Sequence, residues 1–116
     1  MTDKTPEDLV PLKPAWLHIL LALAEEPQHG YAIRAHADRQ SNGRVKLWPV
    51  TLYGSLRDME DGGLVRPVDE AASTDADARR QYYDLTAFGR QVLRAETDRL
   101  QELVDAARAS RALGEA

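Results

Sequence analysis

Cysteine is absent from this chain of 116 residues. Disulfides, thiolate zinc sites and a cysteine nucleophile are therefore excluded, and the absence fits a reducing compartment. The opening "MTDKTPEDLVPLKP" lacks the basic-then-apolar pattern of a secretory signal. The longest apolar run, residues 17–24, contains His18 and is far too short to cross a membrane. These absences predict a cytoplasmic protein.

Residues with the spacing of a metal or catalytic site are also missing. The three histidines, at positions 18, 29 and 36, do not have metal-ligand spacing. His29 is more simply explained as a residue at the entry of a helix. No nucleophile, base and orienting group form a set, and the acidic residues are scattered. We therefore expect no metal, no cofactor and no enzyme activity.

Positive charge is in deficit overall but not everywhere. The chain has a formal net charge of −4, is 43% hydrophobic and 29% charged, and has the composition of one small globular domain. Residues 29–66 carry six basic and four acidic groups, whereas the segments on either side are each net −3. Phosphate binding depends on the local field more than on the total charge, so the basic middle segment permits a nucleic-acid partner.

Three short helices are predicted in the first half of the chain. The first runs from Pro14 through a broad apolar stripe and stops at Pro27. The second follows "HGY" and ends at Asn42-Gly43, whose residues favour the left-handed helix terminator. The third begins at Pro49 and ends at Gly62-Gly63. Three such helices in succession are typical of a helix-turn-helix domain.

Two strands and a long helix are predicted in the second half. "LVRPV" and "RRQYYDL" flank the polar tip "DEAASTDADA" as a β-hairpin, and Thr86 is a good N-cap for the last helix. The pattern predicts a mainly α protein with a small β-hairpin, a winged helix-turn-helix followed by a long C-terminal helix. We divide it into a flexible arm or short lead-in (1–13), a DNA-binding domain (14–85) and a dimerisation helix (86–116). A generic α+β domain with a small hairpin is the alternative.

The last helix carries a coiled-coil-like seam of about two heptads. An apolar stripe of this kind would be exposed on so small a domain, and exposed stripes usually mark an interface. Trp16 and Leu20 on the first helix are predicted to join the contact. The alternative is that the helix folds back on its own domain. The predicted seam residues are Leu93, Leu100, Leu103, Val104 and Ala107.

Three stretches together resemble the PadR-like transcriptional regulators, in the short form with one C-terminal helix. They are "ILLALAEEPQHGYAI" (19–33), "LWPVTLYGSLRDMEDGGLV" (47–65) and "RRQYYDLTAFGRQVL" (79–93). The resemblance implies a homodimeric repressor that binds a two-fold symmetric site in double-stranded DNA. The third helix would enter the major groove, the hairpin would lie near the minor groove, and the last helix would pack on the partner subunit.

The first turn of the third helix has small side chains that suit entry into the major groove of DNA. Leu52, Leu56 and Met59 share one face and are predicted to point inward, which turns the opposite face outward. Short side chains there would let the backbone approach DNA, and one longer donor would reach a base or phosphate. The alternatives are that Thr51 is a cap-region residue and that Tyr53 is a half-buried core residue, and both stay open. The predicted DNA contacts from this helix are Val50, Thr51, Tyr53, Gly54 and Arg57.

Four further residues complete the predicted DNA surface. Lys46 precedes the third helix, and Arg79 and Arg80 begin the second strand of the wing, where they suit phosphate or minor-groove contact. In the family pattern the tyrosine at Tyr31 often lies on the DNA side. Solvated charges, or a core or capping role for Tyr31, are the alternatives. The acidic wing tip departs from the family, in which glycine and basic residues are more typical.

Two functional hypotheses follow. The leading one is a dimeric transcriptional repressor, released in some relatives by a small aromatic effector. The other is a winged-helix module that binds protein or small molecules and has no DNA affinity, which the acidic balance favours. Trp16 and Trp48 are candidates for stacking an effector, although ordinary core packing is the preferred interpretation of both.

Overall fold

Helices account for most of the chain, in the predicted order. The computed structural model describes residues 4–69 and 81–114. The helices are α1 (Pro14–Glu25), α2 (Gly30–Gln40), α3 (Pro49–Asp61) and α4 (Ala87–Ala109), and the strands are β1 (Gln28–His29), β2 (Val65–Val68) and β3 (Tyr82–Leu85). The prediction of a mainly α fold with a small β element and a long last helix is confirmed.

Side-chain caps explain where two of the helices begin. The Nδ1 atom of His29 accepts the backbone N–H of Ala32 at 3.2 Å, so His29 caps α2. This is the helix-entry role predicted for it. The Oγ1 atom of Thr86 accepts the backbone N–H of Gly89 at 2.9 Å and caps α4 as predicted. α1 and α3 begin instead at a proline, whose fixed φ suits the first helical turn.

The core lies where α1, α2 and α3 meet the sheet and the first turns of α4. Leu52, Leu56 and Met59 are buried, which confirms the predicted inward face of α3. Because these three side chains hold α3 against the core, its opposite face is turned to solvent. The buried residues that surround them are Ile19, Leu20, Ala22, Leu23, Ile33, Ala37, Leu47, Leu64, Val65, Leu85 and Val92.

The β element is a three-stranded antiparallel sheet rather than the two-stranded hairpin predicted. The strand order is β1-β3-β2, with Val65 opposite Leu85 in one pair and His29 opposite Tyr82 in the other. The His29 ring also meets the edge of the Tyr82 ring at a centroid distance of 5.2 Å. A two-residue strand has no periodicity to detect, and it forms because β3 has a free edge. Of the predicted wing tip, residues 69–78, all but Asp69 lie outside the described residues.

The junction between α3 and α4 is held by two backbone approaches. The N–H of Thr86 donates to the carbonyl of Leu64 at 3.0 Å. Gly89 lies so close to that same carbonyl that a Cβ at this position would collide with it. The Thr-x-x-Gly stretch is thus a packing requirement: the threonine caps α4, and the glycine lets the helix lie on the chain leaving α3.

Residues 4–13 do not form the free arm that the sequence predicts. Residues 6–9 make a 3-10 turn (Pro6–Leu9) that lies against α4. Leu9 and Leu12 pack on the core, and the backbone N–H of Leu12 donates to Glu96 Oε2 at 3.0 Å. Sequence periodicity missed this contact because it depends on a buried acid 84 residues further along the chain.

Glu96 is a buried carboxylate at the contact between this lead-in and α4. It is 1% exposed and receives two hydrogen bonds from Arg99, at 2.6 Å to Nε and 3.0 Å to Nη2. The Arg99 bonds, assisted by the Leu12 N–H, lower the pKa of Glu96 against the opposing effect of burial. The acid therefore stays ionised and holds the N-terminal segment on the last helix.

Candidate nucleic-acid interface

Large apolar side chains are exposed in two places among residues 4–69 and 81–114. The first group lies around the N-termini of α2 and α3, and the second lies late on α4. Exposed apolar groups of this size mark sites of interaction. In the first group, here called the α2–α3 surface, the exposed fractions are 68% for Tyr31, 59% for Trp48, 88% for Val50 and 51% for Tyr53.

The outer face of α3 is open in the way the sequence predicts. Val50, Thr51 and Arg57 are all exposed. Gly54 is exposed as well, and a Cβ built there would have no neighbour within 4 Å. A glycine inside a helix costs about 0.5–1 kcal/mol relative to alanine. Since nothing within the described part of the chain requires Gly54, its small size leaves room for a partner from outside.

Tyr53 packs against α2 and is also half exposed. Its ring lies over Gly30 at the start of α2, where a Cβ would come 2.5 Å from the phenolic oxygen. The ring is nevertheless half exposed. Tyr53 therefore packs α3 onto α2 while its remaining surface stays on the outer side. The glycine of the "HGY" motif is explained by this close packing.

Tyr31 is a surface residue rather than a core or capping one. His29 supplies the cap of α2, and the Tyr31 ring stacks near the His29 ring with centroids 6.4 Å apart. Tyr31 therefore lies on the exposed side of α2, beside the N-terminus of α3. Its predicted contact with DNA stays a prediction.

A cleft of about 350 Å³ separates α2 from the residues that lead into α3. The guanidinium of Arg34 lies 5.3 Å from the centre of the Trp48 ring, and Lys46 Nζ is 2.6 Å from Asp38 Oδ1. Trp48 is therefore a surface residue, and the prediction that it packs in the core is wrong. Its place directly before Pro49, outside the apolar periodicity of α3, accounts for this. The cleft is lined by Tyr31, Arg34, Ala35, Asp38, Lys46, Leu47 and Trp48.

Arg34 and Asp38 are site residues that sequence reasoning missed. Arg34 lies three residues after Tyr31, so both fall on one face of α2. Asp38 lies one turn further along. This helical spacing is the signal that would have grouped them with Tyr31. The Trp48 contact, in contrast, depends on how α2 and α3 pack.

Negative charge competes with positive charge on this side of the molecule. Arg57 on α3 is followed by Asp58, Glu60 and Asp61, all exposed. Asp38 already pairs with Lys46. The predicted contacts Arg79 and Arg80 lie outside the described residues. Within the described part, the α2–α3 surface is consequently open in shape but has little net positive charge.

The second apolar group lies on α4, which extends beyond the rest of the fold. Leu103, Val104 and Ala107 are exposed, and Leu100 is half buried. Trp16 and Leu93 are half buried and pack against the core. Leu20, predicted to contact a partner, is fully buried in its own core and has no surface to offer. A broad apolar stripe on α1 cannot by itself distinguish its inner from its outer residues.

The described ranges contain neither a cluster of metal ligands nor a helix of membrane-spanning character. No group of three or more histidine, cysteine, aspartate or glutamate side chains there is arranged to hold a metal ion. The helices in the same ranges are all too short or too polar to traverse a bilayer.

Comparison with known proteins agrees with this architecture. A PadR family transcription regulator from Clostridium difficile has a TM-score of 0.69 at 21% identity, covering 81% of this chain and 94% of that one. A PadR-like transcription factor from Bacteroides fragilis has a TM-score of 0.64 at 22% identity, covering 80% and 85%. An uncharacterized 37.1 kDa protein in transposon Tn4556 of Streptomyces fradiae is 38% identical over 89 residues, 77% of this chain and 24% of that protein. The chain thus spans about a quarter of the length of that relative.

Three helices, a small antiparallel sheet and an open outer face on the third helix define a winged-helix protein. The sequence pattern of the Transcriptional regulator PadR-like family matches residues 19–95. The chain belongs to this family, whose members are DNA-binding regulators of transcription and not enzymes.

Proposed function

We propose that this protein is a homodimeric repressor that binds a two-fold symmetric operator in double-stranded DNA through α3. The observation that carries the proposal is the leading face of α3. Val50 and Thr51 are short and exposed, and Gly54 is a helix-interior glycine with no internal neighbour to require it. A recognition helix needs such a face to bring its backbone close to base edges. Arg57, one turn further, supplies reach and positive charge.

The α4 surface supports the dimer. Leu103 and Val104 are exposed, and every described residue from 101 onward is exposed in the single chain. This half of the helix therefore buries nothing against its own domain. A second copy packed on the stripe would cover it, and Leu100 and Ala107 extend the same face. The two recognition helices would then meet half-sites about one helical turn of DNA apart.

A groove beside α4 supports the effector. About 390 Å³ of space lies between the end of α1, the end of β3 and the first half of α4. Leu85 and Leu93 provide apolar wall, and Arg90 and Arg94 provide positive charge. A small aromatic molecule fits a site of this size and lining. Because α4 joins the recognition domain to the dimer contact, a molecule bound here would change the separation of the two α3 helices and release the DNA.

The test is a DNA-binding series on the full chain. Operator sequences are selected from a random pool, and affinity is measured by fluorescence anisotropy at several salt concentrations. We expect steep weakening as salt rises and a weaker complex for Arg57→Ala. Arg108→Ala, an exposed arginine in the last turn of α4, is the matched control and should bind like wild type. If the effector proposal is correct, adding a candidate aromatic ligand should release the DNA and lower the anisotropy.

A winged-helix interaction module without DNA affinity is the second candidate. The net charge of −4 and the acidic residues that follow Arg57 favour it. It predicts that no sequence is enriched from the random pool, even at low salt. Enrichment of a palindromic site would exclude it.

A further inference from the structure

We propose that Arg34 and Trp48 form a contact to the DNA backbone, in which the Trp48 indole holds the Arg34 guanidinium ready to bind one phosphate beside the groove that α3 enters. This inference rests on the DNA binding proposed above. It adds to the predicted DNA surface one residue from α2 and one from the connection before α3, neither of which was expected to touch DNA.

The Arg34 guanidinium and the Trp48 ring are already in cation–π contact within the protomer. The Arg34 guanidinium lies 5.3 Å from the centre of the Trp48 ring, inside the distance of about 6 Å for a cation–π contact. Arg34 is half buried, whereas Trp48 is largely exposed. The indole therefore does little for the protomer core. Its contact with Arg34 is the cation–π interaction that links α2 to the residue before α3.

The positive charge of Arg34 is not neutralised by a neighbouring acid in the described residues. No ion pair in residues 4–69 and 81–114 involves it, whereas Lys46, the other cation in the cleft, is already paired with Asp38. A cation–π contact uses none of the N–H donors of the guanidinium, so they stay available for hydrogen bonds. Their planar fork matches the oxygens of a phosphate. Holding the side chain in advance also lowers the entropic cost of binding.

The position of the pair matches where DNA backbone would run. In helix-turn-helix proteins the recognition helix inserts its N-terminal residues into the major groove, and the preceding helix crosses the backbone. Arg34 is on that preceding helix, one turn after Tyr31. Trp48 is the residue directly before α3. A strand bordering the groove occupied by Val50 would therefore pass the mouth of the cleft.

Arg34→Ala tests the contact on the operator and on unrelated DNA of equal length. We expect a similar loss of about 5- to 20-fold on both, with a salt slope shallower by about one, as for a single phosphate contact. Arg34→Lys should recover part of the loss, since it keeps charge without the planar guanidinium. Trp48→Phe should bind nearly like wild type, and Trp48→Ala should lose several-fold. Arg39→Ala, an exposed arginine elsewhere on α2, should change neither affinity nor slope.

A spectroscopic readout follows Trp48 directly. In Trp16→Phe the only tryptophan is Trp48, and we expect its emission to change when unlabelled DNA is added. Circular dichroism melts show whether each variant is folded at the assay temperature. Unchanged emission with DNA bound would contradict the contact at Trp48.

The outcomes separate this inference from the function on which it rests. If wild type binds and Arg57→Ala weakens binding while Arg34→Ala matches wild type, the backbone contact is refuted and DNA binding stands. If Arg34→Ala weakens only operator binding with the slope unchanged, Arg34 reads a base and the phosphate contact is wrong. If wild type binds no DNA at low salt, the proposed function fails, and this inference fails with it.

Discussion

The phenolic oxygen of Tyr53 lies over the Cα of Gly30, so close that a methyl group on residue 30 would come 2.5 Å from it. The ring carbons beneath the hydroxyl would be 2.9 and 3.0 Å away. This packing sets the approach of α3 to the start of α2. It also makes the position of α3 depend on a glycine that lies in a different helix.

Gly30→Ala should therefore destabilise the protein and displace α3. Overpacking of this kind costs about 1–3 kcal/mol, measured as a shift in the urea midpoint. Tyr53→Ala in the same chain removes the obstacle, so Gly30→Ala should cost much less in that background. Equal costs in both backgrounds would show that Tyr53 is not the reason for the glycine.

Gly54→Ala should act in the opposite direction on stability. Nothing lies within 4 Å of a Cβ at this position, so alanine should raise the free energy of unfolding by about 0.5–1 kcal/mol through helix propensity. DNA affinity should nevertheless fall by about tenfold or more, because the methyl group lies on the face that approaches the groove. Chemical denaturation and anisotropy on the same preparation give the two values. A variant that is more stable and still binds normally would show that Gly54 does not face DNA.

Asp38→Asn should strengthen DNA binding. The Asp38 carboxylate is 2.6 Å from Lys46 Nζ, and both side chains are about half exposed, so the pair adds little to stability. Removing the acid frees Lys46 for a phosphate and lowers repulsion. We expect affinity at low salt to rise by about two- to tenfold, with a steeper salt dependence.

The control for this substitution is Asp105→Asn. Asp105 is exposed on α4, and its replacement changes the net charge by the same amount at a distance from the cleft. A similar gain in both variants would mean that total charge, and not release of Lys46, controls the affinity.

Most of the fold followed from local signals in the sequence. Proline and glycine positions, the Thr86 cap and the spacing of Leu52, Leu56 and Met59 act within a few residues of where they lie, so the helices and the inner face of α3 were predictable. β1 was not, because two residues have no period and pair only when β3 is present. The contact of the N-terminal segment with Glu96 was also missed, because it joins residues that are 84 positions apart in the sequence.

In the candidate site, too, features set by local sequence were predicted and features set by packing between helices were not. Val50, Thr51 and Gly54 were placed on an open face by helical period alone. Trp48 was misjudged, since an aromatic residue beside a helix start more often packs inward and its contact with Arg34 depends on a second helix. Leu20 was misjudged because a stripe on α1 broad enough to face two neighbours does not show which one each residue meets.

The dimer contact can be tested without disturbing the core. Leu103 and Val104 are exposed in the single chain, so Leu103→Asp with Val104→Asp should leave the fold intact and yield monomers. Ala109→Asp, on the opposite face of α4, is the control and should stay dimeric. Light scattering measures the mass, and circular dichroism confirms the helix content. A dimer that persists in the double variant would place the interface elsewhere.

Glu96 gives a pH dependence whose sign can be stated in advance. Its pKa in the folded protein lies below the ordinary value of 4.5, chiefly through its hydrogen bonds from Arg99. A carboxylate whose pKa is lowered by folding stabilises the fold fully at pH values above its pKa in the unfolded chain. This contribution disappears as the pH falls through its pKa in the folded protein. At about pH 7, Glu96→Gln should lower the free energy of unfolding by about 1.5–3 kcal/mol, the range for hydrogen bonds to a charged group.

The difference between wild type and Glu96→Gln should shrink steadily as the pH falls below about 4.5, because protonated glutamic acid and glutamine carry the same charge. Urea unfolding of both proteins across this range measures it, and taking the difference cancels the titration of the other carboxylates. Glu102→Gln, exposed on the same helix, should show a small difference at every pH. If the difference for Glu96→Gln stays constant down to about pH 2, shape rather than charge holds the N-terminal segment on α4.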